Sequence, residues 1–317
     1  MGRYLRRRLL QLVPLLLGIS IVIFGVIQAA PGGPEGALLS GGRFIDPQVV
    51  EAYRARLGVD RPVPIQYLRW LGATLSGDLG QSFSTTRPVF DMIVERLPAT
   101  IELMGASFLF AAVIALAIGG VGGLRPGSGA DRLGTGVSFL GLAMPIFWFG
   151  LILQLVFSVK LGWLPVAGTR TIGTDSLGDH LAHLVLPALV LSFRNIASWS
   201  RYFRSSLLAA READHVRTAE AKGLTPNAVR ATHVVRNALI PVASIMAVNL
   251  AELFAGAVVT ETIFAWPGIG RLFVQAMFAR DYPLLMGILL MGSVAVIVMN
   301  LLADLLYGLL DPRIRYQ

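Results

Sequence analysis

Residues Ser205 to Pro241 read SSLLAAREADHVRTAEAKGLTPNAVRATHVVRNALIP, a polar island between stretches that carry almost no charge. Its charges are Arg211, Glu212, Asp214, Arg217, Glu220, Lys222, Arg230 and Arg236. The residue order predicts a helix over Leu207 to Lys222 that stops at Gly223, because glycine enters the left-handed conformation past a helix end without a Cβ penalty. Thr225 is placed to cap a second helix, with Pro226 at the first helical position, where its missing N–H costs nothing. Two short helices hinged at a glycine are expected. Ala209, Ala213 and Val216 share one face of the first, and Ala228, Ala231 and Val235 share one face of the second. Both faces are small, so the unit suits a membrane surface or a partner's groove better than a core.

The flanks decide the class. Of 317 residues 55% are hydrophobic and 15% charged, with a mean hydropathy of +0.66, which is too apolar for a soluble domain of this length. Leu9 to Ala30 is an apolar run behind the basic head MGRYLRRR, and its length is close to the ~20 residues that cross a bilayer. It exceeds the h-region of a signal peptide, so an uncleaved first span is expected. Further spans are expected at Thr100 to Leu124, Val137 to Leu161, Leu181 to Ser200, Leu239 to Phe264 and Leu284 to Leu310, giving six in all. Excess bases gather in the head, in Arg125 to Arg132, in Arg201 to Arg236 and at Arg313 and Arg315. By the positive-inside rule both termini and the island are cytoplasmic. The net charge of +8 therefore follows the membrane and argues against nucleic-acid binding.

Between the first two spans, Pro31 to Gly42 reads as a Pro/Gly-rich loop. Short helices are expected at Pro47 to Leu57, Pro64 to Leu75 and Pro88 to Leu97. Pro267, Gly268 and Gly270 end the fifth span, and Arg271 to Arg280 is a candidate short interfacial helix before Pro283 restarts the chain.

Chemistry-bearing patterns are few. No GxxxxGK[ST] loop, Rossmann glycine cluster or HExxH occurs, and there is no cysteine, so neither nucleotide binding of the usual kind nor thiolate chemistry belongs to this chain. His180 and His183 have the spacing of two ligands on one helical turn, but no third ligand is near, and polar contacts or packing explain them better. Glu252 lies inside the fifth span, where a carboxylate costs about 2.5–3.5 kcal/mol and should face a partner or an aqueous path. It is a candidate contact along a translocation path. Snorkelling accounts for Arg194, and Glu102 sits near the start of the second span, where helix polarity favours a negative charge.

Asp214 to Leu224 (DHVRTAEAKGL) and Arg236 to Pro241 (RNALIP) resemble the coupling loop of ABC importer permeases. The general signature is Glu-Ala-Ala, three residues, then Gly; here Arg217, Thr218 and Ala219 stand in the triplet, with Gly223 as its glycine. Arg217 in place of the leading Glu, and the late Ile240-Pro241, match instead the dipeptide/oligopeptide/nickel branch, with His215 where that branch has Tyr. LGVDRPVPIQYLRWL, GDLGQSF, RLPATIEL, LGLAMPIFWFG, LGWLPVAG, TETIFAWPGIG, DYPL and DPRIR extend the likeness along nearly the whole chain.

The resemblance implies an all-α integral membrane protein of the type I importer kind, with six transmembrane helices, an external helical collar and a cytoplasmic coupling helix. Its divisions are 1–30 (N-terminus and first span), 31–98 (external loop), 99–310 (permease core with coupling loop 205–236) and 311–317 (cytoplasmic tail). It also implies a non-enzymatic subunit of a bacterial or archaeal cytoplasmic membrane. This subunit would form a path for peptides, nickel or a glutathione-like solute with a second homologous permease. Two ATP-binding subunits would hold ATP and Mg, and an extracytoplasmic substrate-binding protein would deliver cargo. ATPase coupling falls on Glu212, Asp214, Arg217, Ala219, Ala221, Lys222, Gly223 and Leu224. An ion-coupled secondary transporter is the alternative; it would need intramembrane ion sites and inverted repeats.

Overall fold

The computed structural model describes residues 2–29 and 61–310, with side chains over 10–29, 61–249 and 257–305. The expected loop and helix within 31–60, the 311–317 tail and the side chain of Glu252 lie outside the described residues. The regular structure is helical: α1 (Gly2–Gln28), α2 (Val63–Leu75), α3 (Val89–Leu124), α4 (Gly129–Ala143), α5 (Ile146–Leu153), α6 (Leu177–Arg211), α7 (Asp214–Ala221), α8 (Pro226–Ala228), α9 (Arg236–Ile263), α10 (Ile269–Phe278) and α11 (Tyr282–Leu310). π-helical turns follow α5 at Gln154–Lys160 and join α8 to α9 at Val229–Val235. Among the described residues five helices are long and apolar enough to cross a membrane, or six if the bent pair of α4 and α5 with its π turn counts as one span.

Three expected spans differ in form. The second is continuous with the short helix placed before it, so α3 runs for 36 residues, about 54 Å at 1.5 Å per residue, through Pro98. Glu102 consequently lies well inside a helix, away from its N-terminus. The third is bent by 113°. The cause is local: a residue before proline is pushed out of the helical region, and Met144 adopts φ −85°, ψ 128° before Pro145 opens α5. The fourth continues past Ser200 to Arg211 and absorbs the start of the island. The short helix expected over Arg271 to Arg280 is present as α10, and α11 restarts beside Pro283.

The chain divides into two compact units. One comprises the described residues within 1–99 and 267–298. Ile23 and Ile27 of α1, Val89 and Ile93 of α3, Leu272 of α10 and Leu285 of α11 form its core. Phe24, Tyr67 and Trp70 join α2 to α1, with ring centroids 5.6 Å and 5.7 Å from Phe24, and the hydroxyls of Ser20 and Tyr67 lie 2.8 Å apart. A loop from Gly80 to Val89 closes with Val89 N–H donating to the Gly80 carbonyl at 3.0 Å. The fully buried Asp281 fastens it. Its carboxylate accepts from the Ser82 and Ser84 hydroxyls and from the backbone N–H groups of Phe83 (3.1 Å) and Ser84 (3.2 Å).

The other unit comprises the described residues within 100–266 and 299–317. Here α3 and α6 approach so closely that a Cβ on Gly119 would stand 2.5 Å from the Ser200 carbonyl oxygen, and one on Gly123 would stand 2.7 Å from Leu207. Small residues permit such contacts between membrane helices, whose association rests on packing. Ala111 and Ala115 of α3, Trp199, Phe203 and Leu207 of α6, and Ala238 and Val242 of α9 share one core. Trp199 Nε1 donates to Asn249 Oδ1 at 3.0 Å, satisfying a buried indole.

Candidate functional site

The polar island is built on three breaks in helical winding. The expected helix from Leu207 to Lys222 is interrupted at Glu212 and Ala213: α6 ends at Arg211, and Ala213 takes an extended conformation (φ −74°, ψ 144°) before α7. The second break is at Gly223, where φ is +80°. Gly223 N–H donates to Glu220 O at 2.9 Å and Leu224 N–H to Ala219 O at 3.3 Å, the paired bonds of a Schellman motif that satisfy the last carbonyls of α7. The Thr225 hydroxyl then accepts from Ala228 N–H and caps α8, with Pro226 at its start. That cap agrees with the expectation from sequence, but the second short helix does not stand alone, because α8 runs through the π turn into α9.

The π turn also moves the buried face. The residues that enter the core are Val216 and Ala219 from α7, and Val229, Val234 and Ala238 from the turn and α9. Ala209 and Ala231 are exposed. Val229 and Val234 are five apart, the spacing of a π turn, which a 3.6-residue period cannot anticipate. Two buried residues of α7 thus belong to the same core as Trp199 and Phe203 of α6.

The other face of α7 is open. Glu212, Asp214, Arg217, Glu220, Ala221, Lys222, Gly223 and Leu224 are all exposed, whereas Ala219 is buried. Asp214 and Arg217 stand 3.9 Å apart in a solvated pair. His215 holds α7 against the π turn: its Nε2 lies 3.1 Å from Asn237 Nδ2 and 3.3 Å from the His233 carbonyl, and Asn237 Nδ2 also donates to that carbonyl at 2.7 Å. Arg211 reaches the Gly123 carbonyl of α3 at 3.4 Å. The arrangement is an exposed charged surface mounted rigidly on the ends of α6 and α9.

The remaining candidates are dispersed. Glu252 lies in the backbone of α9. His180 pairs its Nε2 with the Glu102 carboxylate and its Nδ1 with the Thr169 carbonyl at 2.9 Å, while His183 Nδ1 faces the Asp179 carbonyl at 2.9 Å. The two imidazoles therefore have separate partners. Among the described residues no group of three or more His, Cys, Asp or Glu side chains could hold a metal ion. Arg194 is exposed on α6.

Sequence reasoning missed Asn237, Asp131 and Arg204. Asp131 Oδ1 and Oδ2 accept from Arg204 Nε and Nη2 at 2.6 Å and 3.0 Å. The signal for Asp131 was present, since Ser128-Gly-Ala-Asp131 is a capping pattern and Ser128 does accept from Asp131 N–H.

Comparison with known proteins covers the same ground from end to end. The family described as "Binding-protein-dependent transport system inner membrane component" matches residues 103–316, and its N-terminal companion matches residues 1–104. The oligopeptide transport system permease protein AppB of Bacillus subtilis is 43% identical over 322 residues, covering 100% of both chains. The di/tripeptide transport system permease protein DppB of Pseudomonas aeruginosa is 41% identical, covering 99% of both. The dipeptide transport system permease protein DppB of Escherichia coli is 36% identical, covering 100% of both. Among solved structures, inward-facing MetNI methionine ABC transporter resembles the fold with a TM-score of 0.57 at 16% identity, over 69% of this chain and 96% of that one.

Proposed function

This chain belongs to the binding-protein-dependent transport system inner membrane component family, and from that premise we propose how it works as a permease subunit in ATP-driven peptide import. The observation that carries the reading is likeness over whole chains: three peptide-transport permeases align with it at 36% to 43% identity across 99% to 100% of their lengths. The chain is a multi-pass membrane protein with no enzymatic role of its own. It contributes to the translocation path and carries di- or oligopeptides.

The finer arrangement is our own reading. A second homologous permease completes the path, two ATP-binding subunits with their ATP and Mg supply the drive, and an extracytoplasmic substrate-binding protein delivers cargo. The α7 surface is the coupling helix. Glu212, Asp214, Arg217, Ala221, Lys222, Gly223 and Leu224 contact an ATPase groove, and Ala219 anchors the helix from its buried side. An exposed face on an eight-residue helix whose opposite side packs into the core shared with α6 and α9 supports this, because a push on α7 is transmitted to α6 and α9. Both termini and the 205–236 segment lie in the cytoplasm, and 31–98 forms an external collar. Residues 99–310 form the core and 311–317 a tail. Glu252 is a contact along the path.

A C-terminal tag, extraction in mild detergent and identification of co-purifying chains test the assembly. Recovery of a second permease together with ATPase subunits is the expected result. Reproducible recovery of this chain alone, under conditions that preserve a known importer, would overturn the proposal in favour of an ion-coupled transporter.

A further inference from the structure

An ion pair between a buried Asp131 and a half-buried Arg204 lies at the root of the candidate coupling element. Asp131, on the first turn of α4, is 5% exposed. It receives both arms of Arg204 from α6 at 2.6 Å and 3.0 Å, and Gly127 N–H donates to its Oδ2 at 2.9 Å. The bidentate geometry fixes angle as well as distance. Gly122 of α3 makes room for it: a Cβ there would stand 2.8 Å from Asp131 Oδ1 and 3.3 Å from Arg204 Cδ. Beside the pair, the Ser138 and Ser200 hydroxyls join α4 and α6 again at 3.0 Å. The pair thus ties α4 to α6 against α3, ten residues before α7 begins.

We infer that Asp131 and Arg204 form a strap that makes α4, and with it the bent third span, move as one body with the coupling helix. Asp131 is buried and the Arg204 guanidinium is turned inward onto it, so both are positioning residues. The inference rests on the coupling role proposed for α7. Without the strap α4 is joined to α6 by the serine pair, by the Arg201 guanidinium 5.3 Å from the centroid of the Phe139 ring and by packing, none of which has the two-point geometry of the fork. Removing the fork from Arg204 leaves the buried Asp131 carboxylate short of a partner, while the coupling surface itself stays intact.

The test uses the complete chain in its co-purified complex. As the chain has no cysteine, Leu140→Cys on α4 and Thr218→Cys on α7, both exposed positions, supply a spin-label pair. The wild-type distance is expected to stay constant between the nucleotide-free and ATP-trapped states. In Asp131→Asn, and in Arg204→Lys, which keeps the charge but not the fork, it should shift or broaden by more than about 3 Å on ATP trapping. Complex yield and ATP turnover should remain within about twofold of wild type, since the altered quantity is coupling between sites. Distances identical to wild type in both variants and both states would overturn the strap. So would reduced yield with no change in distance, which marks a merely structural role. Absence of ATPase subunits from the wild-type complex would instead overturn the coupling reading on which the strap rests.

Discussion

Gly223 and Gly119 are both glycines for reasons that can be told apart. At Gly223 a Cβ would meet nothing within 4 Å, but φ is +80°, so the constraint within this chain is conformational. Alanine there should cost about 1–2 kcal/mol of local stability. Asn and Asp tolerate left-handed backbone better than Ala, which separates two explanations. If only backbone geometry matters, Gly223→Ala is the most damaging of the three. If the residue faces a closely fitting ATPase groove, Gly223→Asp is the most damaging, abolishing uptake and ATPase recovery while membrane insertion continues. Gly223→Asn, equal in bulk but uncharged, should then also be more damaging than Gly223→Ala. Tagged pull-down of the three variants at equal expression decides it, and we expect the second order. At Gly119 the constraint is steric, because a methyl group would be driven to 2.5 Å from the Ser200 carbonyl oxygen, an atom that cannot rotate away. Gly119→Ala should lower stability by about 1–3 kcal/mol as overpacking does, read as a lower melting temperature in detergent.

Elements in this chain were legible where their ends carry chemical marks. The Thr225 cap, the Gly223 stop and the restart beside Pro283 all stand where side-chain chemistry puts them. Winding was not legible. Nothing in VRATHVV announces a π turn, and Ala209 reads as part of a buried face until Ala213 turns extended and breaks the helix. Pro145 lies within the span expected over Val137 to Leu161, and its effect on Met144 bends that span by 113°. Long-range fastenings such as that of Asp281 were invisible for another reason, since their partners lie about 200 residues apart in sequence. The Asp281 carboxylate accepts from two hydroxyls and from the backbone amides of Phe83, Ser84 and Leu284. Asp281→Asn sets an NH₂ group against donors: the hydroxyls can turn to accept from it, whereas the N–H groups of Phe83 and Ser84 cannot. Leaving one of them without an acceptor costs about 1–3 kcal/mol. The amides of Phe83 and Ser84 should then exchange with solvent roughly tenfold or more faster, and unchanged exchange would show that the loop is held by other means.

At the scale of the whole molecule, composition carries the class, and the placement of the arginines predicts the sidedness. The latter can be tested without reference to cargo or partners. Helix α6 separates the loop around Ile172 from α7, and both Ile172 and Thr218 are exposed. If α6 crosses the bilayer once, these positions must lie on opposite sides, whatever the absolute orientation. The basic cluster at Arg201, Arg204, Arg211, Arg217 and Arg230 predicts a cytoplasmic α7 side, because such residues resist translocation when they flank a span. The chain contains no cysteine, so Ile172→Cys and Thr218→Cys are each single-cysteine proteins. A membrane-impermeant maleimide should label the first in intact cells and the second only in inverted vesicles. Labelling of both from one side would remove α6 from the set of spans and the coupling surface with it. Opposite sides in the reversed sense would keep the span but place α7 where no ATPase can reach it. The two geometric premises of coupling, a crossing helix and a cytoplasmic end, therefore fail in different ways and can be judged separately.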